Sequence, residues 1–142
     1  MTIIPNFSLK KHNTFGIEAK AKQFVVVHSV PDLKAVLQEN PTEKKIILGG
    51  GSNMLLTQDI DALVIHVDLK GKKIIQQDAD FVWVESQAGE NWHEFVLWTI
   101  HQDFGGLENM SLIPGNVGTT PMQNIGAYGT EIKDTFISCE AV

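Results

Sequence analysis

Residues 113–129 read IPGNVGTTPMQNIGAYG, with glycines at 115, 118, 126 and 129 and prolines at 114 and 121. Glycine leaves the backbone unconstrained and proline withdraws an amide donor, so this run is expected to form neither an ordinary helix nor an ordinary strand. It reads as one long loop with no element of its own. Loops of that length are usually functional or disordered, and the apolar residues Ile113, Val117, Met122, Ile125, Ala127 and Tyr128 threaded through it argue for order. Glycines at this density let backbone approach a flat or anionic ligand, with free amide hydrogens directed at it.

A second glycine turn follows a short apolar run in KIILGGGSN, residues 45–53. It sits at the carboxyl end of a predicted strand, where open α/β sheets bind ligands. The amides of Gly49, Gly50 and Gly51, with the Ser52 and Asn53 side chains, can hold a pyrophosphate without any cation. No Gly-Lys-Ser/Thr ending makes it a P-loop, and Met54-Leu55-Leu56 rule out the GxGxxG fingerprint. Alone it is more simply a tight turn. Two such loops, each after an apolar segment, suit a long ligand with a pyrophosphate at one place and a flat ring system at another.

The charge pattern narrows the ligand further. All eleven basic residues are lysines, so no planar two-point arginine grip on phosphate or carboxylate is available and any anion must rely on amides, hydroxyls or Lys. A net charge of −6 speaks against a nucleic-acid partner. No eighteen-residue apolar run suggests a membrane span and no secretory signal is visible at the start. The single Cys139 allows no internal disulfide, which suits a reducing cytoplasm.

Along the chain, a polar lead-in is followed by QFVVVHS (23–29), a strand, and then a helix through Leu33, Val36 and Leu37 that ends at Asn40-Pro41. With KIIL this makes a βαβ unit. LVIHV (63–67) reads as another buried strand, and KIIQQ with FVWVES as a hairpin. The change from parallel-type to antiparallel-type strands places a boundary near 68–71, giving a small α/β lobe over 1–68 and an antiparallel lobe over 69–142. Asn91 with Glu94 is a capping-box signal for a helix with Trp92, Phe95, Val96, Thr99 and Ile100 on one face, ended by Phe104-Gly105-Gly106. TFISCEAV (135–142) reads as a closing strand.

Few other residues suggest chemistry. The five histidines fall at no metal-ligand spacing, so no metal is expected. His28 and His66 read as strand residues, and His93 and His101 as helix-surface residues. Glu90 and Glu94 read as helix N-terminal carboxylates, and Lys133 as a solvated charge. Ser52, Thr119 and Thr120 have no adjacent His to activate them as nucleophiles. Tyr128 fits a core aromatic and a substrate-facing ring equally.

Five segments in order, NTFGI (13–17), ILGGGSNML (47–55), AGENWH (88–93), GLEN (106–109) and IPGNVGTTPMQNIGAYG, closely resemble the UDP-N-acetylenolpyruvoylglucosamine reductase family. The resemblance implies an α+β flavin domain of the vanillyl-alcohol-oxidase (PCMH) type, a small α/β lobe plus a larger antiparallel lobe with FAD between them. It implies reduction of FAD by NADPH, then of the enolpyruvyl double bond of UDP-GlcNAc-enolpyruvate to give UDP-N-acetylmuramate for bacterial peptidoglycan. By the same resemblance, Gly49, Gly50, Gly51, Ser52, Asn53 and Met54 match the segment around the FAD pyrophosphate. Ile113, Pro114, Gly115, Gly118, Thr119, Met122, Gln123, Gly126 and Ala127 match the loop along the flavin, and Tyr128 a position near substrate.

Family members are roughly twice as long. The Tyr-Arg-Asp-Ser segment, the Gly-Ser-Phe-Phe segment with its proton-donating serine, and the late glutamate of the family have no counterpart here. The expectation is therefore an amino-terminal portion without catalytic residues, inactive alone, holding FAD weakly or not at all, with an unpaired edge at 135–142 that invites self-association. The whole protein is expected to be a cytoplasmic bacterial monomer. The competing expectations are a non-catalytic flavin- or nucleotide-binding module and a different FAD-dependent oxidoreductase of the same fold.

Overall fold

A computed structural model describes residues 1–142. The chain divides into two compact units, Met1–Leu69 together with Val142, and Lys70–Ala141. No helix is long and apolar enough to cross a membrane.

The first unit holds one sheet of order β1-β2-β4-β3, formed by β1 (Ile4–Ser8), β2 (Lys20–Val27), β3 (Lys45–Leu48) and β4 (Ile60–Val67). Helix α1 (Val30–Glu39) joins β2 to β3. Both β2 and β3 run parallel to β4, and β1 is antiparallel on the β2 edge. The middle of β4 explains its central place: Ala62, Leu63, Val64 and Ile65 are all buried, the continuous apolar run of a strand covered on both faces.

Alternation then sorts the two faces, since successive side chains of a strand point opposite ways. Leu63 and Ile65 join Val25, Val27 and Val36 of α1, with Leu33 and Leu37 against them. Val64 instead joins Leu9, Ala21, Phe24 and Leu48. Helix α1 begins where Ser29 Oγ accepts the Asp32 amide at 3.2 Å, and Pro31 lies in the first turn, where its missing donor costs nothing. The polar lead-in is more ordered than its composition suggests, because β1 pairs Ile4 with Phe24 and Phe7 with Ala21.

The second unit contains the antiparallel ribbon β5 (Lys72–Gln77) and β6 (Val82–Ser86), helix α2 (Trp92–Ile100), the single turn α3 (Thr120–Gln123), and a short ribbon of β7 (Gly126–Ala127) with β8 (Thr130–Glu131). Asn91 Oδ1 caps α2 by accepting the Glu94 amide at 3.0 Å. Trp92, Phe95 and Val96 form a core with Met110, Ile125 and Ile132. The helix stops at Ile100, ahead of the Phe104-Gly105-Gly106 signal. Asp103 adopts φ 58 and the Phe104 amide closes on the Thr99 carbonyl at 3.0 Å, a left-handed termination that needs no glycine when an Asp supplies it.

The structure departs from two sequence expectations. Residues 113–129 are not a structureless loop: a 3-10 turn, Val117–Thr119, runs into α3, and Gly126 and Ala127 pair with Glu131 and Thr130. Pro121 is tolerated because it falls in the first turn of α3. Residues 135–142 form no strand and every one of them is exposed. High strand propensity in Phe136 and Ile137 is not enough without a pleated neighbour to pack and pair with.

Candidate functional site

In the first unit the GGGSN turn leaves the end of β3 and is fixed from beneath by the NTFGI segment. Asn13 is buried and ties its own loop together. Its Nδ2 donates to the carbonyls of Leu9 at 2.8 Å and Ile17 at 3.0 Å, and its Oδ1 accepts the Ile17 amide at 2.9 Å. Thr14 then donates its amide to the Gly51 carbonyl at 3.2 Å. Gly51 has φ +65, and a Cβ there would lie 2.0 Å from the His12 carbonyl oxygen. Only glycine permits that approach.

Downstream, Met54 and Leu56 pack into the sheet core beside Leu9 and Leu48. The turn is thus clamped at both ends. Among the hydrogen bonds of the chain, none is donated by the amides of Gly49, Gly50, Gly51, Ser52 or Asn53, while Ser52 and Asn53 form a turn that the Met54 amide closes. A concentrated run of uncommitted donors is what an anion needs. The Met54 side chain belongs to the core.

His12 and His66 lie close to this turn, with ring centroids 5.1 Å apart, and His12 also packs against Phe7 at 5.5 Å and Phe24 at 4.9 Å. Burial first, and the His66 ring second, pull the His12 imidazole below its usual pKa, so the ring acts as a neutral aromatic under the glycine turn.

In the second unit the AGENWH segment does for IPGNVG what NTFGI does for GGGSN. Trp92 donates its amide to Gly115 O at 3.0 Å, Val117 to Glu90 O at 2.9 Å and Gly118 to Ala88 O at 3.0 Å. A Cβ on Gly118 would stand 2.6 Å from the Ala88 Cβ and 2.9 Å from its Cα. Here the Ile113, Val117 and Gly118 amides are committed, and so are the hydroxyls: Thr119 donates to Asn116 O and Thr120 to Val117 O, each at 2.8 Å. Outward, this loop shows large apolar side chains beside the exposed Gln123 and Asn124. Leu112 is 76% exposed, Met122 87% and Tyr128 90%.

Tyr128 is therefore not a core aromatic. Tyr128 and Gly129 form the two-residue turn between β7 and β8, with φ 53 and φ 83, the combination of a tight ribbon that favours Asn-Gly. A tyrosine held left-handed at the tip of a turn is an outlier of the kind that collects at functional positions. Gly126 is needed for a different reason, because a Cβ there would lie 2.8 Å from Thr130 O.

A family profile described as FAD binding domain matches residues 21–142. The chain belongs to the FAD binding domain family. This FAD binding domain is 79% identical over 142 residues to the UDP-N-acetylenolpyruvoylglucosamine reductase of Flavobacterium johnsoniae, covering all of the chain and 42% of that protein. It is 49% identical over 137 residues to the protein of the same name from Pseudomonas putida, covering 95% of the chain and 40% of the relative. The chain thus spans about two-fifths of the length of these relatives. In fold it is similar to the crystal structure of UDP-N-acetylenolpyruvylglucosamine reductase (MurB) from Thermus caldophilus, with TM-score 0.69, 23% identity, and coverage of 94% of this chain and 45% of that one. The α+β flavin-domain class expected from the sequence is the one observed.

Two residues of this FAD binding domain do more than their sequence context suggests. His93 is not a plain helix-surface residue, since its ring meets Ser111 Oγ at 3.0 Å. Glu90 is not a helix-dipole carboxylate: it accepts the Gly71 amide at 2.7 Å and pairs with Lys72 Nζ at 3.3 Å, fixing the start of β5 to the segment before α2. Both partners lie nearly twenty residues away, beyond the reach of local pattern. Lys133, by contrast, is an exposed charge, paired with the neighbouring Glu131.

Burial pushes the Glu90 carboxyl up, but the Gly71 amide, Lys72 and the Lys70 charge together hold it below its ordinary value of 4.5. A depressed carboxylate stabilises the fold above its unfolded-state pKa and loses that contribution as pH falls through the folded-state value. Glu90→Gln should therefore lower stability by about 1.5–3 kcal/mol at neutral pH, the range for hydrogen bonds to a charged group. The gap to wild type should close on acidification below pH 4.5, as read from urea unfolding midpoints across that range.

Proposed function

We propose that this chain supplies the FAD cradle of a UDP-N-acetylenolpyruvoylglucosamine reductase, the activity named for its relatives in Flavobacterium and Pseudomonas. The observation that carries the reading is the division of labour between the two glycine segments. Residues 49–53 hold uncommitted amides above a point where no side chain fits, which suits the FAD pyrophosphate in a chain without arginine. Residues 113–127 commit the Val117 and Gly118 amides and both threonine hydroxyls internally and present backbone beside the exposed Met122, which suits an isoalloxazine ring.

Ile113 and Val117 hold the second loop to the α2 core, while Pro114, Gly115, Gly118, Thr119, Met122, Gln123, Gly126 and Ala127 shape the surface along the ring. Bound FAD supplies the hydride chemistry between NADPH and the enolpyruvyl double bond. The protein residues bind, orient and exclude water. Tyr128, exposed and held left-handed, is assigned to the UDP-sugar substrate. The enzyme is assigned to the bacterial cytoplasm, as a monomer. The Gly-Ser-Phe-Phe segment whose serine donates the proton in the family is not among these 142 residues, and they are expected to be inactive by themselves.

The complete product of the gene encoding these residues is expected to purify with FAD and to oxidise NADPH only when UDP-N-acetylenolpyruvoylglucosamine is added, followed by the loss of NADPH absorbance. A gene product that takes up no flavin overturns the reading. One that takes up flavin but is not stimulated by the substrate leaves a flavin-binding module or a different oxidoreductase.

A further inference from the structure

His93 contacts the corner of the chain that precedes IPGN. His93 lies in the first turn of α2, and its Nδ1 is approached by two groups eighteen and nineteen residues on: Ser111 Oγ at 3.0 Å and the Leu112 amide nitrogen at 3.3 Å. A backbone amide can only donate, so Nδ1 must be the unprotonated nitrogen and the proton of the neutral ring must sit on Nε2. It follows that Ser111 donates as well. One lone pair serves two donors.

The corner it holds is unusual. Leu112 has φ 65 and is 76% exposed, so neither glycine's freedom nor core burial keeps it left-handed, a conformation unfavourable for a leucine. Directly after it come Ile113, Pro114 and Gly115, the beginning of the cofactor segment. The direction in which that segment leaves α2 is set at Ser111 and Leu112, and the side chain there that accepts from both is His93.

We propose that His93 is a positioning residue for FAD: through Nδ1 of its neutral Nε2–H tautomer it locks the Ser111–Leu112 corner, and so aims the 113–118 backbone at the ring. This rests on the reading of residues 113–127 as the flavin surface. His93 itself touches no cofactor and takes no proton from the reaction.

The two amide side chains make a sharp test, because the Oδ1 of Asn can overlay Nδ1 of histidine whereas Gln reaches the position of Nε2. In the complete gene product, His93→Asn should keep FAD affinity within about three-fold of wild type, while His93→Gln and His93→Ala should each weaken it about ten-fold or more. Melting temperature and the far-ultraviolet spectrum are to be measured beside each titration. Hydrogen exchange of the Leu112 amide in flavin-free protein gives a second readout, slow in wild type and His93→Asn and faster in His93→Gln. Equal affinity in wild type and His93→Ala overturns the proposal. So do equal losses in Asn and Gln variants accompanied by equal drops in melting temperature, which would make His93 a packing residue. A wild-type protein that binds no FAD overturns the flavin reading itself, a result distinguishable from both.

Discussion

Gly51→Ala is expected to weaken FAD binding about a hundred-fold or more while leaving the sheet beneath it folded. The added methyl would sit 2.0 Å from the His12 carbonyl oxygen, 2.9 Å from its carbon and 3.1 Å from the Asn13 Cα. All three are backbone atoms, so no rotamer change relieves the overlap. Asn13 is held by three hydrogen bonds of its own, so the part that yields is the GGGSN turn, and with it the amides proposed for the pyrophosphate. The φ of +65 at Gly51 adds roughly 1–2 kcal/mol for any L side chain.

Gly16→Ala is the matched control. Gly16 has nearly the same φ, +63, but a Cβ there meets nothing within 4 Å. It should show the conformational cost alone, with FAD affinity close to wild type. Flavin fluorescence titration of the two variants separates lost space from lost left-handed freedom. Equal, small effects in both would remove the 49–54 turn from the cofactor site.

The second large effect is expected at Trp92. Its side chain is 1% exposed at the centre of the second unit, and its Nε1 donates to the Met110 carbonyl at 2.8 Å. Trp92→Ala should cost about 3–5 kcal/mol, the usual range for truncating a buried aromatic. Trp92→Phe keeps most of the ring volume but removes the indole donor, leaving the Met110 carbonyl only the 3.4 Å bond from the Ile113 amide, a loss of about 0.5–1.5 kcal/mol. Chemical denaturation midpoints of the two variants should fall in that order. Because Ile113 and Val117 pack on the same cluster, Trp92→Ala should also loosen FAD beyond what its stability loss implies, whereas a Val36→Ala change in the first unit should cost stability without touching the proposed flavin surface.

Much of the first unit could be read from its sequence. Residues 23–29, 45–48 and 63–67 are short apolar runs bounded by turn residues, and each lies in a strand or overlaps one. Strand β1 was hidden because Pro5 and Asn6, the latter with φ 50, break its pattern; the partner strand β2, which lies beyond the reach of local rules, makes it a strand. The opposite error at 135–142 has the same cause, since apolar and β-branched residues there find no partner.

The candidate site was legible as composition and not as organisation. Glycine counts pointed to both turns, but the clamps that shape them, Thr14 on Gly51 and Ala88 on Gly118, join segments about thirty residues apart or more, as do their hydrogen bonds. Helix α3 escaped notice because four residues show no periodicity, and Thr120-Pro121 resembles a break until proline's preference for a first helical turn is considered. His93 and Ser111 are ordinary residues in isolation. Only the path of the chain makes them neighbours.

The seating of Gly118 on Ala88 limits how this fold can diverge. Methyl and backbone already touch there, so neither residue can be enlarged by a small step, and enlarging both compounds the clash. Change that retunes cofactor or ligand preference is therefore channelled to the outward side chains at Leu112, Met122 and Tyr128, where size and polarity can drift while the underlying scaffold stays frozen.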